Sequence, residues 1–191
     1  MNILLIDNYD SFTFNLKDLL ERSAAGCDVT VRRNKEKDIF DLCFDILVVS
    51  PGPMTWKETG ILNELFTSKV IPEKIPVLGV CLGMQFIAGY YGINVDRINN
   101  PLHGSRTVIR HNGDSLFKGI KDEFTAARYN SLGFYKTFSD QLDLIAFEKD
   151  SSAVMALKHK TLPFAGFQFH PESFLTENGE KMIRNFVDIY V

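Results

Sequence analysis

Cysteine and histidine are scarce in this sequence of 191 residues, and their spacing excludes two kinds of site. The three cysteines, Cys27, Cys43 and Cys81, stand far apart and form no CxxC pair. Their number and spacing argue against a disulfide framework and against a zinc site. No two of the four histidines stand three or four residues apart, so a metal site is unsupported. We therefore predict a protein of a reducing compartment.

Long apolar runs and blocks of basic residues are absent too. No run approaches the ~18 apolar residues of a transmembrane helix, and the first residues lack the basic region and cleavage site of a signal peptide. The formal net charge of −3 argues against nucleic acid or an anionic membrane as a partner. We expect a cytoplasmic protein with a single domain over residues 1–191.

The first half of the chain alternates between two hydrophobic periods. Short apolar runs predict strands at Ile3–Ile6, Ile46–Val49 and Pro76–Val80, and alternating apolar and polar residues predict another at Val29–Arg32. Stretches of helical period lie between and after them, at Ser11–Arg22, Glu58–Val70 and Leu82–Tyr91. Ser11 is predicted to cap the first helix. This βαβαβα order predicts a parallel sheet with right-handed crossovers.

The second half is richer in short strands with turn signals between them. They are predicted at Val95–Ile98, Thr107–His111, Phe124–Arg128, Leu144–Glu148, Ala153–Lys158 and Ala165–Phe169. A loop containing His103 separates the first two, and Asp150-Ser151-Ser152 is predicted to be a hairpin turn. A closing amphipathic helix is predicted at Glu177–Ile189. The fold class is α/β, with a mixed, mostly parallel central sheet extended by antiparallel strands.

Cys81 lies in the segment Gly79-Val80-Cys81-Leu82-Gly83, at the junction of a strand and a helix. This is the pattern of a nucleophile elbow, a sharp strained turn whose flanking positions leave no room for side chains. The helix N-terminus favours the thiolate form of a cysteine. The N–H of Leu82 is predicted to point to where an oxyanion forms. The alternative is a buried structural cysteine; a structural or surface role is the preferred interpretation for Cys27 and Cys43.

A thiolate nucleophile needs a base, and the base needs a group that orients it. Residues two apart in extended chain face the same side, so His170 and Glu172 can lie together at the end of a strand. We predict that His170 is the base and that Glu172 orients it. For His111 and His159 we expect solvated positions on the surface.

The segment Ser50-Pro51-Gly52-Pro53 directly follows a predicted buried strand. Glycine at this point allows a ligand to approach the backbone closely and can supply a second oxyanion N–H. A plain turn is the equal alternative from the sequence alone.

These residues resemble the class I, triad-type glutamine amidotransferases. The most specific matches are the segments 79–85, GVCLGMQ, and 166–173, GFQFHPES, with further matches in 7–16, DNYDSFTFNL, and 50–53, SPGP. Segment 7–16, together with Leu102-His103-Gly104 and Arg128–Leu132, is similar to the branch of the family that serves chorismate-using synthases. The resemblance implies a flavodoxin-like three-layer sandwich and a Cys81–His170–Glu172 triad.

The resemblance also implies how the substrate is held. Cys81 would attack the side-chain amide of glutamine, and the backbone of Gly52 and Leu82 would hold the oxyanion. The remaining glutamine contacts match positions Pro53, Met54, Gln85, Ser131 and Leu132. No cofactor is implied on this chain, and Mg²⁺ is expected on the partner subunit.

The implied partner is a chorismate-binding synthase subunit in a hetero-oligomer, because ammonia released into water is protonated and lost as a nucleophile. The synthase is aminodeoxychorismate synthase, anthranilate synthase or both. The segments 8–10, NYD, and 79–81, GVC, slightly favour aminodeoxychorismate synthase. Asp10–Phe14 and the His103 loop are candidate contact surfaces, and a role in supporting the active site alone is the equal alternative. The chain is too short to contain the synthase as well.

Several positions depart from the family pattern. Met54 stands where a smaller residue is frequent, and Met84 where histidine is frequent; for Met84 we expect a packing role. Ser105 replaces a common lysine, and Asn130 the histidine usual in Arg-Tyr-His-Ser-Leu. The last two departures concern how the glutaminase is switched on. The rival functions are a stand-alone cysteine hydrolase, such as a γ-glutamyl peptidase, and a non-catalytic binding module.

Overall fold

The computed structural model describes all residues, 1–191, and contains one nine-stranded sheet in the order β2-β1-β3-β4-β9-β8-β7-β5-β6. Five neighbouring strands, from β2 to β9, are parallel, and the other four continue the sheet antiparallel. The strands are β1 Asn2–Asp7, β2 Asp28–Arg33, β3 Ile46–Val49, β4 Val77–Val80, β5 Asp96–His111, β6 Glu123–Gly133, β7 Leu142–Glu148, β8 Val154–His159 and β9 Phe164–Phe167. The mixed sheet of the sequence prediction is confirmed.

Helices cover both faces of the sheet. They are α1 Thr13–Ser23, α2 Leu62–Leu65, α3 Ile71–Glu73, α4 Leu82–Tyr90 and α5 Gly179–Tyr190, with a π-helical segment, Phe66–Val70, joining α2 to α3. Successive residues of β1 point to opposite sides, so Ile3 and Leu5 join the apolar core under α1 and α5 while Leu4 and Ile6 join the core under α2 and α4. Two apolar cores therefore separate three layers.

The predicted bounds of the first two helices were wrong. The first helix begins at Thr13 and not at Ser11, and no side chain caps it. The turn before it is held by Asp7 and Asp10, whose carboxylates accept from the backbone N–H groups of residues 9, 10 and 12. The second predicted helix, Glu58–Val70, starts in the structure at Leu62 and runs on through the π-helical segment to Glu73.

The predicted loop at His103 is part of a strand. Residues 96–111 form one strand that pairs with β6, and the pairing has irregularities between Arg97 and Leu102 and between His103 and Ser105. Bulges let the strand continue through Pro101 and through Gly104, whose φ is +77°. Proline and glycine therefore mark distortions of a long strand here and not its end. The Asp150–Ser152 turn does join β7 to β8, as predicted.

Three neighbouring parallel strands end side by side and build one edge of the sheet. Val49 of β3 pairs with Gly79 of β4, and Val80 pairs with Phe167 of β9. The segments that follow these strands therefore begin next to one another. Ligand sites of α/β sheets form at the carboxyl ends of such strands.

Candidate active site

Cys81 occupies the sharp turn between β4 and α4 that the sequence predicts. Its backbone has φ 52° and ψ −102°, an uncommon conformation for a residue with a side chain. The N–H of Cys81 donates to the Phe167 carbonyl at 2.7 Å, which ties the turn to β9. Cys81 is only 6% exposed. The sulfur thus lies in a fixed, strained and largely water-free position at the start of a helix.

Glycine is required on both sides of Cys81 because the strand and the helix touch there. A Cβ atom on Gly79 would lie 2.4 Å from the carbonyl carbon of Gly83. A Cβ atom on Gly83 would lie 2.3 Å from the carbonyl oxygen of Val49, in the neighbouring strand β3. Both contacts are with backbone, which cannot move aside as a flexible side chain can. The elbow therefore needs both glycines for packing.

His170 and Glu172 lie side by side after β9. The imidazole Nδ1 and the carboxylate Oε1 are 2.6 Å apart, and the two side chains are 2% and 0% exposed. Tyr129 and Phe12 pack edge-on against the imidazole, with ring centroids at 4.8 Å and 5.8 Å. The other imidazole nitrogen, Nε2, is buried without a hydrogen-bond partner in the protein. Glu172 therefore fixes the ring while Nε2 stays free for another group.

The electrostatic surroundings of His170 favour its protonated form. Burial alone would lower the pKa of this imidazole, but the neighbouring Cys81 and Glu172 outweigh burial and raise the pKa well above its usual value. A negative charge on either partner is stabilised by an imidazolium in this position. The site can thus hold a thiolate and an imidazolium together, with a carboxylate behind the imidazolium.

The Ser50–Pro53 segment is held against the elbow by buried asparagines. Asn8 donates from its side chain to the Ser50 carbonyl at 3.0 Å, and Asn34 donates to the Asn8 side-chain oxygen at 2.9 Å. A Cβ atom on Gly52 would lie 2.6 Å from Leu82 Cδ2 and 2.7 Å from Asn8 Cβ. Leu82 is the first residue of α4, so its N–H has no acceptor within the helix. Gly52 is therefore needed for a close approach, beyond the needs of a plain turn.

A pocket of about 340 Å³ opens above Cys81. It is lined by six of the seven predicted glutamine contacts together with the cysteine itself: Gly52, Pro53, Met54, Cys81, Gln85, Ser131 and Leu132. Leu82, His170 and Glu172 are not among the lining residues. Asp10, His103, Tyr129 and Asn130 complete the wall. A larger cleft of about 720 Å³, between Tyr91 and Gln141, contains none of the predicted site residues.

Gln168 is a residue of this site that the sequence reasoning missed. Its side chain is fully buried, donates to Cys81 Sγ from Nε2 at 3.5 Å and accepts at Oε1 from Gln85 Nε2 at 3.0 Å. The signal that could have found it is the period of two: Gln168 stands two residues before His170, as Glu172 stands two after. It is also the one polar side chain in the apolar run 165–169.

Asn130, the departure from the family pattern, connects the pocket wall to a buried ion pair. It donates to the Leu132 carbonyl at 2.8 Å and accepts from Arg128 Nε at 3.0 Å. Arg128 is fully buried and lies 4.0 Å from Glu148. Burial lowers the pKa of Arg128, while Glu148, Tyr135 and Cys81 act to raise it. Ser105, in contrast, is exposed on β5, where it pairs with Arg128.

The predictions for the remaining histidines were partly wrong. His111 and His159 are 8% and 5% exposed, so neither is a solvated surface residue. His111 stacks on Phe117 with ring centroids at 4.5 Å, and His159 accepts at Nδ1 from the N–H groups of residues 161 and 162. Both side chains are used in packing and turn formation. His103 lines the pocket above Cys81.

The other predicted structural residues lie where packing explains them. Met84 is fully buried, and a Cβ atom on Gly166 would lie 2.7 Å from its Cγ, which agrees with a packing role. Cys27 is half-buried and Cys43 exposed, and all three cysteines are free. No group of three or more His, Cys, Asp or Glu side chains is arranged to hold a metal ion. None of the helices has the length and apolarity needed to cross a membrane.

Comparison with known proteins agrees with this geometry. The sequence model of the family described as glutamine amidotransferase class-I matches residues 4–189. Aminodeoxychorismate/anthranilate synthase component 2 of Bacillus subtilis is 40% identical, with 98% of this chain and 96% of that protein covered. Aminodeoxychorismate synthase of Streptomyces griseus is also 40% identical over 99% of this chain, which spans only 26% of that longer protein.

A solved structure from Thermoplasma acidophilum, described provisionally as one of the subunits of a GMP synthase, has the same fold. It superposes with a TM-score of 0.84 at 29% identity and covers 99% of this chain and 93% of its own. The family model and the relatives cover almost the full chain, including the elbow and the segment after β9. The chain belongs to the class I glutamine amidotransferases.

Proposed function

We propose that this chain is the glutaminase subunit of a chorismate-using synthase, with Cys81 as nucleophile, His170 as general acid and base, and Glu172 as the group that orients His170. The observation that carries the proposal is the pocket of about 340 Å³, in which Cys81 meets the predicted contacts for glutamine. A strained cysteine at a helix start, next to an imidazole whose pKa is raised, has the chemistry of an activated thiolate.

The proposed reaction has two steps. The Cys81 thiolate forms a bond to the side-chain amide carbon of glutamine, and the oxyanion accepts hydrogen bonds from the N–H groups of Gly52 and Leu82. The imidazolium of His170 protonates the amide nitrogen, the C–N bond breaks, and ammonia leaves a γ-glutamyl thioester. His170 then takes a proton from water as the water attacks this thioester. The C–S bond breaks, which releases glutamate and restores the thiolate.

The pocket wall supplies groups suited to the amino-acid end of glutamine. Gln85 uses its side-chain nitrogen to donate to Leu132 and Gln168, so its side-chain oxygen is the atom left to accept from an ammonium group. Asp10 and Ser131 also line the pocket and offer further polar contacts. Met54 lines the same pocket.

A partner protein is part of the proposal. The longer Streptomyces griseus relative is named aminodeoxychorismate synthase, and a homologous segment makes up 26% of its chain. That arrangement supports a glutaminase unit working beside a synthase unit that takes up the ammonia. We expect any Mg²⁺ to be bound by the synthase partner and not by this chain. A cytosolic location, which the three unpaired cysteines favour, belongs to the same proposal.

Aminodeoxychorismate synthase is our preferred partner, and anthranilate synthase is the alternative. The relative from Bacillus subtilis carries both names, which supports a glutaminase shared by the two synthases. Co-purification of the chain with its chorismate-binding partner, followed by analysis of the product made from glutamine, separates the two. Aminodeoxychorismate would support the preferred partner; anthranilate alone would overturn it.

The decisive variant is Cys81→Ala, assayed together with the synthase partner. Glutamine-dependent turnover should fall at least about a thousandfold because no thioester can form, while turnover with added ammonium should be unchanged. Cys43→Ala, at an exposed cysteine, is the matched control and should keep both activities. Retained glutamine-dependent turnover in Cys81→Ala would refute the mechanism. Rapid glutamine hydrolysis without any partner would instead favour a stand-alone hydrolase.

A further inference from the structure

Gln168 contacts the sulfur of Cys81 and has no part in the proposed triad. Its side chain is completely buried directly after β9, and its Nε2 lies 3.5 Å from Cys81 Sγ in donor geometry. A buried side-chain amide must use its donors and acceptors inside the protein or lose the hydrogen bonds it makes to water. Here one N–H of that amide is directed at the atom that would attack the substrate.

The orientation of the Gln168 amide is imposed by a second glutamine. Gln85 Nε2 donates to the Leu132 carbonyl at 2.9 Å and to Gln168 Oε1 at 3.0 Å, which accounts for both of its N–H groups. A carbonyl can only accept, so Leu132 forces the NH₂ side of Gln85 toward it. Gln168 must then present its oxygen to Gln85 and its NH₂ to the sulfur. The reverse orientation would place two NH₂ groups against each other.

The anchor of this chain of hydrogen bonds is itself fixed. The Leu132 carbonyl also accepts from Asn130 at 2.8 Å, and Asn130 accepts from the fully buried Arg128 at 3.0 Å. The same segment lines the pocket. The direction of the Gln168 donor is therefore determined by the wall that faces the substrate and not by Cys81.

We propose that Gln168 donates a hydrogen bond that holds and stabilises the Cys81 thiolate, and that Gln85 acts through Gln168 as a positioning residue. The sulfur would thus have two donors, the His170 imidazolium and the Gln168 amide. His170 gives up and regains its proton during turnover, whereas the amide keeps its N–H in every step. A hydrogen bond to a charged group stabilises the charged form over the neutral one. The inference rests on the proposed role of Cys81 as a nucleophile.

The test measures alkylation of Cys81 by iodoacetamide in the full chain, with peptide mass spectrometry to separate the three cysteines. In Gln168→Met, which keeps the length of the side chain and removes the donor, the alkylation rate of Cys81 at pH 7 should fall about tenfold. The difference between variant and wild type should shrink as the pH rises, because raising the pH generates thiolate from thiols in general without a hydrogen-bond donor. Cys43, which is exposed, should react equally in both proteins.

Two further variants keep the inference open to refutation. Gln168→Leu repeats the test with a different apolar shape, in case Gln168→Met does not fold, and circular dichroism monitors folding of each. Gln141→Met, at an exposed glutamine, is the matched control and should react as wild type.

A folded Gln168 variant with an unchanged rate at pH 7 would overturn the inference. A rate reduced equally at every pH would do so too, because it would indicate altered access to the sulfur. Neither result depends on glutamine hydrolysis, so failure of the proposed function would be seen separately.

Discussion

His170 lies between two partners that act on it in the same direction and against its own burial. Burial would lower the pKa of the imidazole, and Cys81 and Glu172 together raise it well above the usual value. The three contributions can be separated because the sulfur can be removed while the carboxylate stays. This makes the pKa of His170 a direct measure of how closely the two proposed catalytic groups interact.

We predict that Cys81→Ala lowers the pKa of His170 relative to wild type. Without the sulfur, burial is opposed by Glu172 alone, so the imidazole loses its proton at lower pH. The measurement is an NMR titration of the imidazole ¹³C resonances. His159, whose pKa burial lowers and which packs against Tyr91, is the internal control and should titrate identically in both proteins. An unchanged pKa of His170 would mean that the sulfur and the imidazole do not interact as proposed.

Residue by residue, the sequence reveals the parts of the site that depend on local geometry. Cys81 and the His170–Glu172 pair were predictable because a strained turn needs flanking glycines and because residues two apart share a side. Gln168 shares this period of two with His170 but was missed, because no local pattern shows that its amide contacts Cys81, 87 positions away in the sequence. His111 and His159 were misjudged for a similar reason: the aromatic rings and backbone groups that bury them become neighbours only in the fold.

Among the secondary-structure elements, the elbow depends on the contact between α4 and β3. Gly83→Ala would place its new Cβ atom 2.3 Å from the Val49 carbonyl oxygen. The helix must then move away from the sheet, and we expect a loss of about 2 kcal/mol in the free energy of unfolding. Cys81 should also be alkylated at a changed rate, because it sits at the start of the displaced helix.

Urea unfolding of the purified chain measures this loss, and Gly26→Ala provides the comparison. Gly26 has φ +77° and open space around a Cβ atom, so only backbone strain of about 1 kcal/mol is expected there, with no effect on Cys81. If Gly83→Ala were as stable as wild type, α4 would have to tolerate a wider spacing from β3 than the structure shows.

The continuity of the long strand β5 was harder to predict than the short buried strands. The buried runs of β1, β3 and β4 are continuous and apolar, and each strand begins and ends within one residue of its predicted bounds. The β5 strand was predicted as two pieces because Pro101 and Gly104 usually interrupt strands. Its long pairing with β6 overrides these local signals, and no local pattern records that pairing.

In the whole molecule, Glu148 connects the antiparallel half of the sheet. This residue ends β7 and accepts from Thr107 of β5 at 2.6 Å, while Arg128 of β6 lies 4.0 Å away. It also accepts from the Ser151 N–H, at the turn into β8, at 3.0 Å. Residues of three strands and of the turn into a fourth thus meet at one carboxylate that is 3% exposed. Arg128 donates to Asn130, which lines the pocket, so the Arg128–Glu148 ion pair helps to hold the pocket wall in place.

We predict that Glu148→Gln lowers the free energy of unfolding at pH 7 by about 2 kcal/mol, because it leaves the buried Arg128 without its counter-charge. Burial would raise the pKa of Glu148, but hydrogen bonds from Ser151 and Thr107, with the charge of Arg128, lower it overall. Since the folded-state pKa is depressed, the contribution of the carboxylate is complete above the pKa of an unfolded glutamate, about 4.3. It is lost as the pH falls through the folded-state value.

The difference between wild type and Glu148→Gln in urea unfolding should therefore hold at pH 7 and shrink below about pH 4. Glu64→Gln, at an exposed glutamate, should change stability little at either pH. A difference that persisted undiminished in acid would show that Glu148 acts through its shape and not its charge.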